Sequence, residues 1–223
     1  MLKAMRLFAL LIIMSGVYYI YIQGIFEAPI KESHYSITTS EGKPSIYLTR
    51  TISSPSDYTK LVQYINSHKD VKEMNVYLSG NGGSVNSLLL LVNTMRHSPT
   101  KFIGIVNGKV SSAHAVLAMN MDKLIVTNEN ILFLFHRPAY LENGEYVLLS
   151  KICESIPVWK KDRSRSARDK CSSYITKYER SANKVAMDKT FKAMSEKQLK
   201  RYMKGWDIVL PYKEILHNMG TTK

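Results

Sequence analysis

Cysteine is nearly absent from this chain of 223 residues; Cys153 and Cys171 are the only two. One pair can close a single disulfide in an oxidising compartment, but it is no cross-linked framework, and its spacing suits no metal site. A disulfide-stapled scaffold and a structural zinc fold are therefore excluded, and neither metal nor cofactor is expected. Glycine and proline are also sparse, at 11 and 7. With no internal repeat or low-complexity tract, that scarcity argues against a solenoid or a linker-dominated chain. What is present is 45% apolar and 22% charged, the composition of a globular domain long enough to bury a real core.

Negative charge is the other shortage. Eighteen Asp and Glu stand against 31 Lys and Arg, for a net charge of +13. Most of the excess lies in residues 160–204, which hold fifteen basic and five acidic side chains. Such a segment can meet nucleic acid, an anionic lipid surface or an acidic partner, or can simply be a solvated helical face. No interleaved aromatics of an RNA-binding signature accompany it, so nucleic acid is not expected.

Long apolar runs are absent with one exception. Lys3 and Arg6 precede LFALLIIMSGVYYIYIQGIF, residues 7–26, in which Gln23 is the only strongly polar side chain. A membrane span needs roughly 20 residues, and Tyr18, Tyr19 and Tyr21 sit where an interfacial belt belongs. Positive charge ahead of the run predicts a single-pass signal anchor with a cytoplasmic N-terminus, contact with membrane lipid, and an extracytoplasmic (periplasmic) body. A cleaved signal peptide, releasing a secreted or periplasmic domain, is the competing reading, although no clear A-x-A site follows. The expected organisation is an anchor at 1–26, a polar tether at 27–43 and one domain at 44–223.

From Pro44 onward strand and helix patterns alternate. IYLTRTI reads as a strand, and SPSDYTKLVQYINSH as a helix with Ser54 or Ser56 as N-cap. NVYLSG, KFIGIVNG, KLIVT and ILFLF read as further strands, with helices in SLLLLVNTM and AHAVLAMN. Apolar strands separated by helices predict an α/β fold with a mostly parallel sheet. After Glu154 a long, basic, helix-favouring stretch runs to about Gly205.

Three loops follow strands: NGGSV (81–85), GKVSSAH (108–114) and FHRP (135–138). Ligands of parallel sheets bind beyond the carboxyl ends of strands, so the loops are expected to share one site. The glycines of NGGSV allow close backbone approach or positive φ, and their amides can hold an oxyanion, although a tight turn needs the same glycines. Ser112 sits at a strand-to-helix junction, where it is either a helix N-cap or a nucleophile with the Ala113 amide as oxyanion donor. His136, at the mouth of a strand, can supply the base that a hydroxyl nucleophile requires.

NVYLSGNGGSV, GKVSSAH and ILFLFHRP, in this order and spacing, resemble the Clp protease proteolytic-subunit family of serine peptidases. Members typically show SPGGSV, a G-x-A-x-S-M turn and a strand ending in H-Q-P. TRTISSPSDYTKLVQYI and AMSEKQLKRYMKGWDIV resemble the family's opening and closing segments, so the likeness covers about residues 45–220. It implies a Clp protease/crotonase-like core of stacked ββα units and a peptide-bond hydrolase acting on peptides or unfolded proteins. It further implies assembly into homo-oligomeric rings and a long helix after the histidine, at residues 153–193. The nucleophile falls on Ser112, the base on His136, and the oxyanion donors on the backbone of Gly82 or Gly83 and of Ala113.

The chain departs from the family in three places. Gly80 and Asn81 replace the serine and proline of SPGG, and His114 stands where the family prefers glycine. Phe191 occupies the position of the triad aspartate; Asp188, one helical turn earlier, is the nearest substitute, ahead of Asp207, Asp169 and Asp162. An incomplete triad leaves a catalytically inactive scaffold or regulatory subunit as the alternative. A signal peptide peptidase of the SppA type, with Lys109 as a poorly placed base, and an acyl-CoA enzyme of the crotonase type rank lower.

Overall fold

The computed structural model describes residues 33–40, 43–142, 145–148, 173 and 187–220. The proposed anchor, both cysteines and residues 160–172 and 174–186 of the long basic segment lie outside the described residues. Among the described residues no helix is long and apolar enough to cross a membrane. The chain divides into two compact units, Met1–Ser33 and His34–Lys223; the architecture below is that of the second.

Its elements run β1 (Ser36–Ser40), β2 (Lys43–Leu48), a 3-10 turn (Pro55–Tyr58), α1 (Thr59–Ser67), β3 (Glu73–Gly80), α2 (Val85–His97) and β4 (Lys101–Ser111). They continue with α3 (Ala113–Met119), β5 (Lys123–Val126), β6 (Leu132–Phe135), β7 (Ala139–Glu142) and β8 (Glu145–Leu148). The chain closes with α4 (Asp188–Lys192), α5 (Glu196–Met203), β9 (Ile208–Pro211) and α6 (Tyr212–Asn218). Seven strands form one sheet in the order β1-β2-β3-β4-β6-β9, with β5 also on β4. The inner pairs are parallel, while β1 on β2 and β9 on β6 are antiparallel. β7 and β8 form a separate antiparallel hairpin.

The second half of the expected tether is a strand. Ser36–Ser40 carries the β-branched residues Ile37, Thr38 and Thr39 and pairs through its whole length with β2, so loop-like composition yields to the open edge of β2 beside it. The first helix begins as a 3-10 turn, and Ser54 makes no capping bond there; its hydroxyl meets Ser56 Oγ and Asp57 instead. α2 is capped as its sequence suggests, Ser84 Oγ accepting from the Ser87 amide.

β4 decides where the site forms. The strand does not stop at Gly108 but continues to Ser111, because its two halves have different partners. Ile103–Val106 pairs with β5, whereas Val110 and Ser111 pair with Phe133 and Leu134 of β6. Its other edge holds β3, whose register shifts between Leu78 and Gly80. That shift loosens the end of β3 into the glycine loop.

Buried Ile46, Leu48, Val76, Leu78, Phe102, Val106, Phe133 and Phe135 make the sheet's share of the core. Leu61 and Ile65 of α1, Leu91 and Val92 of α2 and Leu117 of α3 pack against them. Each such side chain contributes about 1.5–3 kcal/mol by leaving water. Across the β2–β3 register Tyr47 and Tyr77 stack with centroids 4.5 Å apart, a pair worth about 0.5–1.5 kcal/mol beyond burial.

Candidate active site

β3, β4 and β6 are parallel neighbours, so the loops that leave their carboxyl ends emerge at one rim. This gathers NGGSV, SSAH and FHRP, as a parallel sheet requires. Ser112 is the one non-glycine residue with positive φ among the described residues, at φ 54° and ψ −124°. Val110, which is β-branched, and Ser111 extend the strand, and α3 begins at once, so the reversal falls on a single residue. The Ser112 amide donates to the Leu134 carbonyl at 2.7 Å, and its own carbonyl accepts from Val116 at 3.0 Å. Both bonds hold the turn. Ser112 occupies the N-cap position of α3, yet its hydroxyl makes no capping bond. The capping alternative is thereby removed, and the hydroxyl remains available.

Gly82 lies directly against it. A Cβ on Gly82 would stand 2.9 Å from Ser112 Oγ and 2.9 Å from the Ser111 carbonyl, and its φ of 98° disfavours a side chain anyway. Of the three expected oxyanion donors, Ala113 and Gly83 have amides without a hydrogen-bond partner among the described residues. The Gly82 amide is spent: it donates to Nδ1 of His114 at 3.0 Å.

His114 is a fully buried residue of α3 that stands under the site. Because an amide N–H can only donate, Nδ1 is the unprotonated nitrogen; Nε2 carries the proton and donates to the Leu48 carbonyl at 3.1 Å. Burial depresses its pKa to about 4, against a weaker opposing pull from the Leu48 carbonyl. The ring also packs on Gly80, where an added Cβ would meet Cε1 at 3.0 Å. The sequence signal is a single polar residue in the otherwise apolar helix AHAVLAM, but its two backbone partners lie 32 and 66 residues away.

His136 ends β6, two residues beyond the Leu134 that pairs with Ser111. Its Nδ1 donates to the Arg137 carbonyl at 2.8 Å, which in the neutral tautomer leaves Nε2 as the acceptor that a general base needs. Ser112 Oγ and His136 are not hydrogen bonded to each other in this structure. The Tyr202 hydroxyl and the Arg137 side chain tie this corner to α5, donating to the carbonyls of His136 (3.5 Å) and Met203 (3.2 Å).

Asp188 makes no hydrogen bond or ion pair with His136 in this structure. It is exposed at the first turn of α4, and among the described residues no carboxylate hydrogen-bonds or ion-pairs with His136. Phe191, at the family's aspartate position, packs edge-on against Tyr202 at 5.9 Å. Asp207 comes nearer, lining the same pocket as His136; Asp162 and Asp169 lie outside the described residues. Among the described residues no group of His, Cys, Asp or Glu is arranged to hold a metal.

That pocket, about 720 Å³ in volume, is bounded by Asn81, Lys109, Ser111, Leu134, His136 and Arg137, with 204–207 as its far wall. The sequence marks Ser111 only as the neighbour of the nucleophile; the residue lines the pocket, and its hydroxyl is buried without a partner among the described residues. Local sequence gives no sign of Lys204 and Trp206, since only the antiparallel return of β9 along β6 brings them here.

A search of curated proteins returns no match to the chain. The family model for Clp protease matches residues 35–198, a stretch running from β1 into α5 and holding every predicted site residue. With that match spread over well over half of the sequence and laid on this mostly parallel sheet, the chain belongs to the Clp protease family.

Proposed function

We propose that the protein is a serine endopeptidase cutting peptides or partly unfolded proteins through an acyl-enzyme on Ser112. One observation carries the reading: the strained backbone of Ser112. A side chain held at such φ and ψ costs about 1–3 kcal/mol, and a mere helix cap would not need it. The same strand-turn-helix device lifts the nucleophile of other serine hydrolases above their sheets.

In the first step Ser112 Oγ attacks the scissile carbonyl while His136 Nε2 takes the hydroxyl proton. The resulting oxyanion is met by the Ala113 amide and by Gly83; Gly82 joins them only if its bond to His114 opens. The C–N bond then breaks, and the amine leaves with the proton returned from His136. Water, activated by the same imidazole, releases the acid and restores Ser112. The Ser112–His136 hydrogen bond, not formed in this structure, forms in the substrate-bound state.

The Arg137 carbonyl performs at Nδ1 the orienting task that a triad aspartate performs elsewhere. For Asp188 to act as the acid it would have to displace that carbonyl. Family members act on peptides and form oligomers, and the reading includes a homo-oligomer. Anchoring by residues 7–26, with the catalytic body outside the cytoplasm, rests on the apolar run and its preceding charges.

A fluorophosphonate probe tests the chemistry. It should label the wild-type chain and Ser111→Ala but not Ser112→Ala, and labelling that survives Ser112→Ala removes the mechanism. A second reading, a silent subunit of an active assembly, is favoured by the His114 plug on the Gly82 amide. Peptide turnover by the purified chain decides between them.

A further inference from the structure

One buried imidazole takes no part in the proton transfers of hydrolysis, yet it adjoins both oxyanion donors. His114 follows Ala113 in the first turn of α3, so its backbone is next to one free amide. Its ring accepts from the Gly82 amide at 3.0 Å, and Gly82 directly precedes Gly83, which carries the other. Nε2 closes the brace on the Leu48 carbonyl at 3.1 Å. The loop it holds has little shape of its own. Gly80, Gly82 and Gly83 take φ of 138°, 98° and 139°, and without Cβ atoms their dihedrals are barely restrained by sterics. Bonds from outside the loop must fix it.

On the far side of the loop, the Gly82 carbonyl accepts from the Ile52 amide at 2.8 Å and the Ser84 amide donates to the Ile52 carbonyl at 2.7 Å. The peptide between Gly82 and Gly83 is trans, so its N–H points opposite to its carbonyl, away from Ile52. Ile52 thus fixes the peptide plane after the Gly82 Cα, and His114 fixes the plane before it. Without His114 the glycine is held on one side only, and the Gly83 N–H loses its fixed direction. We propose that His114 is a positioning residue for the oxyanion site, its ring locking the glycine loop to the start of α3 so that the Gly83 and Ala113 amides keep one fixed relation. The proposal rests on the peptidase reading, in which these two amides receive the oxyanion. The place between the Gly82 amide and the Leu48 carbonyl demands a neutral side chain that accepts at one end and donates at the other, as one imidazole tautomer does.

Two full-length variants separate positioning from mere support. His114→Leu removes both bonds. His114→Asn keeps an acceptor, Oδ1, as many bonds from Cβ as Nδ1 is, but ends one bond short of Nε2 and so loses the Leu48 carbonyl. Kinetics are taken well below each thermal midpoint. In His114→Leu, kcat should fall about ten-fold, part of the roughly 10²–10³-fold loss seen when an oxyanion donor is removed outright, with KM within about two-fold of wild type. His114→Asn should hold kcat within about two-fold even though its urea midpoint falls, because only the Leu48 carbonyl is orphaned. Amide exchange followed by NMR reads the loop with no substrate present: relative to the amides of β4, Ser84 should exchange about ten-fold faster in His114→Leu and at the wild-type rate in His114→Asn. A ten-fold loss of kcat in His114→Asn, or activity that simply follows the urea midpoint, overturns the proposal. So does an unchanged Ser84 exchange rate in His114→Leu. A wild-type chain that neither takes the fluorophosphonate nor cleaves peptide removes the peptidase instead, and the exchange rates then decide by themselves whether His114 sets the glycine loop.

Discussion

Two histidines flank the candidate nucleophile, and the floor and rim of the site treat them in opposite ways. His114, below, is buried in α3 between an amide that donates to Nδ1 and a carbonyl that accepts from Nε2. His136, above, opens onto the pocket and uses Nδ1 as the donor, to a backbone carbonyl one residue away. The floor therefore uses both ring nitrogens on backbone groups, whereas the rim uses Nδ1 alone and leaves Nε2 without a hydrogen bond among the described residues. The same side chain thus acts as a structural cross-brace in one place and as a candidate base in the other. What decides is whether its second nitrogen meets backbone or open space.

The largest effect expected from breaking this contrast is on the rim. His136→Ala should cut peptide turnover by roughly 10⁴-fold or more while leaving the thermal midpoint close to wild type. A fall in stability matching the loss of activity would assign His136 a structural role instead.

Gly82→Ala attacks the contact between floor and rim. The added methyl meets Ser112 Oγ and the Ser111 carbonyl at 2.9 Å each, and the required φ strains any side chain. Turnover should fall by about 10²-fold, with a stability loss of about 1–3 kcal/mol. A Gly82→Ala enzyme of normal activity would mean that the glycine loop does not shape the site.

On the floor, His114→Leu should leave catalytic geometry secondary and stability primary. It strips partners from the buried Gly82 amide and Leu48 carbonyl, costing about 1–3 kcal/mol for each orphaned group, readable as a lower urea midpoint at unchanged slope. Acid probes the same brace without mutation. Because the folded pKa of about 4 lies below the ordinary 6.5, the unfolded chain binds more protons between those values. Stability is thus highest above about pH 6.5 and is lost as pH falls towards 4, by about 3 kcal/mol from this group. Urea midpoints across that window should show the slope in wild type and lack this part of it in His114→Leu.

The smallest effect should come from Asp188→Asn. With the Arg137 carbonyl already holding Nδ1–H, kcat should change by less than about three-fold, against the roughly 10⁴-fold loss typical when a true triad acid is neutralised. A loss of that larger size would show that α4 moves to His136 in the working enzyme.

Alternating strands and helices, the positions of β3 to β6 and the three loops at their ends are legible because apolar periodicity and turn residues are local properties. So is the tension at GKVSSAH, where two serines precede an apolar helix. Less legible is β1: SITTS reads as polar linker until the edge of β2 offers it hydrogen bonds. The extension of β4 through Lys109 to Ser111 is hidden for the same reason, since partners on a neighbouring strand, not local composition, keep a strand going. The acid is the weakest reading, because register counted along a helix does not say what lies opposite it.

By itself the chain determined the family motifs, the order of elements and the two candidate side chains, for each is written in residues adjacent along the backbone. Tertiary structure alone decided which serine carries the strain, which amides stay free, that a carbonyl orients His136, and that Lys204 and Trp206 face it. Those outcomes depend on groups far apart in sequence, 66 residues in the case of His114 and Leu48. Only packing sets their distance, and hydrogen bonding falls away within an ångström of misplacement.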